Sequence, residues 1–169
     1  MDTKICLDTD VSIEILKNTA KASKLLDLTK DSEVYITTIS VFELLLRETN
    51  LDAIEKLLLR TTILDFSELS ARKAAEIFKD LKGKGQLMPL RDLLIASIAI
   101  ANNCTLATLN VKDFENIKDL KLLNFWLTMK ITQKFNFLEW NNNIFMSSIK
   151  KIDLNIILVI ILDILFYSL

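Results

Sequence analysis

Short runs rich in β-branched and apolar residues alternate with longer stretches of helical periodicity along the first 125 residues. This alternation leaves few folds open to the chain. "KICL" (4–7), "EVYITT" (33–38), "TTILDF" (61–66) and "CTLATL" (104–109) read as strands, with "LKLLNF" (120–125) as a fifth. Helical spacing runs through Ile13, Leu16 and Leu25, then "SVFELLLRE" (40–48) and "LDAIEKLLL" (51–59). It resumes in "SELSARKAAEIFKDLK" (67–82) and "RDLLIASIAIANN" (91–103), separated by the loop "KGKGQLMPL" that holds both glycines and the only proline. Strands handing over to helices in turn require a parallel sheet covered on both faces. The expected fold is a three-layer α/β/α sandwich.

The texture changes after Phe125. Residues 1–125 read as one domain. Residues 126–169 read as an irregular or helical C-terminal extension ending in the apolar run "LNIILVIILDILFYSL" (154–169). A membrane span needs about 20 apolar residues, and this run is shorter and carries Asn155 and Asp163. Packing on the domain, on a second copy or on a membrane surface are equal alternatives for it. The start "MDTKICLDTD" has no basic lead or continuous apolar stretch, which points to a cytoplasmic protein. Cys6 and Cys104 each lie in an apolar run and read as buried free thiols. The net charge of −1 gives no global field for nucleic acid, so any such contact is local.

The chain contains no histidine. That excludes Ser-His and Cys-His catalysis and the usual histidine-bearing zinc sites. Chemistry is left to carboxylates, hydroxyls, lysines or a hard metal ion. Four acids fall where strands and helices meet: Asp8 after the first strand, Glu43 after the second, Asp92 in the helix before the fourth, and Asp113 just after it. Each has a plain structural explanation. Ser40 and Glu43 fit a capping box, Asp92 fits a first-turn acid, Asn110 fits a cap with Asp113 in its turn, and Asp10 is the better-placed cap of the first helix. Capping does not, however, require acids on separate crossings to converge on one edge of a sheet. Carboxylates gathered there would repel one another, and a divalent cation offsets that repulsion.

"ICLDTDVSIEIL", "ITTISVFELLLR" and "PLRDLLIASIAIANNCTLATLNVKDF" resemble PIN-domain ribonucleases, most closely the small VapC-like toxins of toxin–antitoxin pairs. The resemblance covers residues 3 to about 125 and rests on the order and spacing of the "DLLIA" and "TLNVKDF" phrases. It implies a Mg²⁺- or Mn²⁺-dependent endoribonuclease in which Asp8, Glu43, Asp92 and Asp113 are catalytic, metal-binding acids. Thr9, Asp10, Thr108 and Asn110 become the supporting polar residues. Asp10 stands where the family commonly has asparagine. The resemblance also implies an RNA substrate, a small antitoxin partner and a homodimer. Lys82, Lys84, Arg91 and Lys112 surround the expected pocket and are candidates for holding RNA phosphates.

Three alternatives stand beside this reading. A degenerate PIN fold would bind without cleaving. A haloacid-dehalogenase-type phosphatase would use Asp8 as nucleophile and Asp10 as general acid. The latter also needs a late acidic pair after a Gly-Asp, and glycine occurs only at 83 and 85. A receiver-like domain would need a lysine at the end of its last strand, whereas Lys121 stands at the start.

Overall fold

The computed structural model describes residues 4–123. The C-terminal extension expected at 126–169, with its apolar run, lies outside the described residues. The chain order is β1 (Lys4–Leu7), α1 (Thr9–Leu16), α2 (Ala20–Thr29), β2 (Glu33–Thr37), α3 (Thr38–Leu45), α4 (Leu51–Leu58) and β3 (Thr62–Leu64). It continues with α5 (Glu68–Gly83), α6 (Leu90–Ala101), β4 (Thr105–Ala107), α7 (Val111–Phe114) and β5 (Lys121–Leu122).

All pairings in the sheet are parallel, in the order β3-β2-β1-β4-β5. Successive strand residues point to opposite faces, and Ile5, Cys6 and Leu7 are all buried, so helices cover β1 on both sides. On one face Cys6, Cys104 and Leu106 pack with Ile77 and Leu81 of α5, Leu93, Ala96 and Ala99 of α6, and Phe114 of α7. On the other, Ile36 packs with Leu44 of α3 and Ile54 of α4. Both thiols are free and buried, and burial pushes the Cys6 thiol far above its ordinary range.

Helix α6 is apolar nearly all round, with Ile95, Ala96, Ser97, Ile98 and Ala99 all buried, which is why it reads as an inner helix. Its small residues let α5 lie against it. The two are joined by a turn in which Gly85 adopts φ +68, a left-handed conformation that glycine takes without a side-chain clash. Helix α5 is capped by Ser67, whose hydroxyl accepts from the Ser70 N–H at 3.2 Å. No helix of the described residues is long and apolar enough to cross a membrane.

Candidate active site

Strand β1 lies mid-sheet. The chain adds β2 and β3 on one side of it, then crosses to add β4 and β5 on the other. In open parallel sheets ligands bind beyond the carboxyl ends of the strands where the order reverses, here between β1 and β4. Asp8 stands at that point, and its N–H donates to the Ala107 carbonyl at 2.9 Å, carrying the β1–β4 ladder up to the crevice.

Because β1 ends at Leu7 and α1 begins at Thr9, Asp8 alone makes the connection and is itself the cap of α1. One carboxylate oxygen accepts the Thr9 N–H at 2.7 Å and the other accepts the Thr108 hydroxyl at 2.8 Å. The expectation that Asp10 caps this helix is therefore corrected. Asp10 lies in the first turn, and its Oδ2 accepts the Leu109 N–H at 2.9 Å, tying α1 to the segment after β4.

The capping box expected of Ser40 and Glu43 is also absent. Helix α3 starts at Thr38, with Thr37 as its cap accepting from the Ser40 N–H at 3.0 Å, so Ser40 is already inside the helix. Glu43 is free for another role. It accepts the Thr9 hydroxyl at 2.5 Å and pairs with the Arg91 guanidinium at 2.6 Å. Asp92, half-buried, occupies the first turn of α6 beyond Pro89. Asp113 is exposed on α7 and accepts the Asn110 side-chain amide, which makes no cap bond to the backbone.

These acids feel one another. Burial pushes Asp8 up to about 7, with the Asp10 charge adding to the rise and that of Asp92 contributing less. Burial also raises Asp10, against the lowering effect of its hydrogen bonds from Leu109 and Thr108. Asp92 is raised by burial, then by the charges of Asp113 and Glu43. Asp8 and Asp10 are thus held in places that penalise two negative charges, and Asp10→Asn tests this. The amide oxygen can still accept the Leu109 N–H, while one charge disappears. Relief of about 1 kcal/mol would raise the metal-free melting temperature at pH 8 by a few degrees. An unchanged or lower midpoint would mean the Asp10 charge is already compensated.

Among the described residues, no three acidic side chains already converge as ready-made metal ligands. The positions of the carboxylates explain this, because Glu43 is drawn to Arg91 and Thr9, Asp113 to Asn110, and Asp10 to Leu109. Other observations fit a hard divalent cation. Oδ1 of Asp10 is buried and has no hydrogen-bond partner, and the donor set is entirely oxygen. One or two carboxylates with waters suffice for such an ion.

The basic residues divide. Arg91 is committed to Glu43, and Lys84 forms an i,i+4 pair with Asp80 along α5 at 2.6 Å. Lys82 and Lys112 are exposed, and neither has an ion pair among the described residues. Sequence reasoning missed that Arg91 meets Glu43 on another helix, since only the packing of α3 against α6 brings them together.

The PIN domain family model matches residues 5–120. Ribonuclease VapC2 of Rickettsia felis is 36% identical over 105 residues, covering 58% of this chain and 78% of the relative. Ribonuclease VapC3 of Methanocaldococcus jannaschii is 38% identical over 95 residues, covering 54% and 94%. The crystal structure of VapBC2 from Rickettsia felis, bound to a DNA fragment from their promoter, superposes with a TM-score of 0.65 and 29% identity, covering 72% of this chain and 98% of that one. Five parallel strands in this order, an acidic crevice at the β1–β4 reversal and these matches agree, and the chain belongs to the PIN-domain family, homologous to the VapC ribonucleases.

Proposed function

We propose that residues 1–125 form a Mg²⁺- or Mn²⁺-dependent endoribonuclease that cleaves RNA phosphodiester bonds in the cytoplasm, as the toxin of a toxin–antitoxin pair. The observation that carries the reading is the environment of Asp8, a carboxylate buried at the sheet's reversal point, held on both oxygens and raised by neighbouring acids. Asp8, Asp92, Glu43 and Asp113 would hold the cation, with Asp10 beside them. When bound, such an ion polarises a phosphodiester and promotes ionisation of a water. The protein's own part is placement. Thr108 and the Thr9 N–H fix the Asp8 carboxylate, the Thr9 hydroxyl fixes Glu43, and Asn110 fixes Asp113. Lys82 and Lys112 would supply positive charge for RNA phosphates, joined by Lys84 and Arg91 once these leave Asp80 and Glu43. The test is cleavage of total RNA by the purified chain with Mn²⁺ or Mg²⁺ and with EDTA. Loss of cleavage in EDTA is expected, and absence of cleavage in either metal would favour a fold kept for binding alone.

Arg91 occupies Glu43 until a cation arrives, so the two compete. Arg91→Ala is expected to tighten Mn²⁺ binding on the order of fivefold, from the roughly 1 kcal/mol of an exposed charge pair. Titration calorimetry reads this without RNA. Weaker binding in the variant would instead mean that Arg91 prepares Glu43 as a ligand.

A small antitoxin and a second copy of the chain are the proposed protein partners. Phe42, Leu45 and Leu46 at the end of α3 and Leu51 on α4 are exposed apolar side chains, which support a protein contact here. Homologous proteins include a toxin–antitoxin pair from Rickettsia felis, in keeping with this reading. An arginine presented by an antitoxin would suit the acidic crevice, because its planar fork pairs carboxylates. Co-purification with the product of a neighbouring small reading frame tests the first partner, and a sizing column tests the second.

A further inference from the structure

Beside the acids lies a groove of about 200 Å³ lined by Leu81, Gln86, Leu87, Met88, Pro89, Lys112, Asp113 and Asn116. Resting on the nuclease reading above, we propose that this groove is a base-reading subsite. It would take the nucleobase of a nucleotide flanking the bond to be cut, and Gln86 and Asn116 would discriminate among bases.

Four observations converge on it. First, the groove reaches the acids, because Asp113 lines it. A strand whose phosphate reaches the acids must lay an adjacent nucleotide along one side of them. Second, the carboxamides of Gln86 and Asn116 enter no hydrogen bond with the described residues, although each can donate and accept at once. Such groups distinguish base edges by pattern, which a lysine or a hydrophobic wall does not. Third, the Leu87 side chain is 90% exposed, with Met88 and Pro89 next to it. A large apolar side chain left in water gains nothing from the fold, whereas a flat base laid on it removes apolar surface from water on both partners. Fourth, Lys112 closes one side with an ammonium unpaired among the described residues, placed for a phosphate or a carbonyl-bearing base edge.

The groove is held by the fold and not by the loop alone. The Gln86 N–H donates to the Leu81 carbonyl at 2.9 Å, locking the turn after α5, and buried Phe114 and Ile117 anchor the stretch on which Asn116 sits. Gln86 and Asn116 are themselves exposed, so truncating them leaves the anchoring contacts in place.

The test uses the full chain and the double variant Gln86→Ala/Asn116→Ala, with Gln86→Ala alone as a second variant and melting curves as the folding check. Binding of six-nucleotide homopolymers of A, C, G and U is measured by fluorescence anisotropy in EDTA, where no cleavage occurs. Ends produced from a randomised RNA in Mn²⁺ are sequenced in parallel. Wild type is expected to prefer one or two homopolymers, and the double variant to flatten that preference to within about twofold and to broaden the base choice at one position beside the cut. Several outcomes overturn the subsite: a wild type that binds all four equally, a preference unchanged in the variants, or a variant that loses affinity for an antitoxin while keeping its base preference. A wild type that discriminates bases but cuts nothing in Mn²⁺ leaves the subsite standing and removes the nuclease reading.

Discussion

Asp8→Asn is expected to reduce metal-dependent RNA cleavage on the order of a hundredfold or more, while making the metal-free protein more stable at neutral pH. Asparagine still caps a helix, so α1 loses little. What disappears is the negative charge that burial penalises. Asp8 ionises near 3.8 in an unfolded chain and at about 7 in the fold. A carboxylate raised in this way contributes stability that is fully present below pH 3.8 and lost as the pH climbs through 7. Above that the native state carries a charge it disfavours, at a cost of roughly 4 kcal/mol as an upper bound. The difference in melting temperature between variant and wild type should therefore be small at pH 4, grow between pH 4 and 7, and level off beyond. Adding Mn²⁺ should narrow it by stabilising wild type alone. A variant that keeps metal-dependent cleavage would remove Asp8 from the catalytic set, whatever the melting curves show.

Phe114→Ala is expected to cost about 3–5 kcal/mol and lower the melting temperature on the order of 10 °C or more. Phe114 is 1% exposed and packs with Cys6, Leu106 and Leu93 beneath the sheet. It is also the residue that fastens α7, a helix of only four residues, to the core. Asp113 and the Asn110 that bonds to it ride on that anchor. Truncation should thus weaken cleavage beyond what the lost stability explains, even at temperatures where the variant is fully folded. Circular dichroism and RNA cleavage measured on the same sample separate the two effects. Activity equal to wild type at 10 °C would mean that α7 keeps its place without the ring.

The sheet was legible because buried parallel strands demand continuous β-branched and apolar runs, and "KICL" and "CTLATL" have no other use for such residues. The helix starts were less legible. β-Branched Thr37 and Thr38 read as strand, yet α3 begins at Thr38, because the threonine hydroxyl at the strand's last residue can cap the next helix at once. That shift of two residues removes Glu43 from a capping role and gives it to Thr9 and Arg91. The same immediacy gives the cap to Asp8 in place of Asp10. The acids themselves stood out through their placement at strand ends in a chain without histidine. Gln86 and Asn116 did not, since nothing in their spacing shows that α7 packs beside the turn after α5.

Asp8 and Thr108 are 100 residues apart, and their hydrogen bond joins the first strand to the last long crossing of the domain. The central strand receives its second neighbour only when residues 105–107 have been made; Asp92 precedes that strand, and Thr108 and Asp113 follow it. A polypeptide still growing on a ribosome is thus surrounded by RNA while it lacks Asp113 and the strand that would align the earlier acids. On the proposed site, cutting would become possible only after nearly every residue of the domain is in place. For a protein whose target is RNA, chain order itself becomes a safeguard for the machine that makes it.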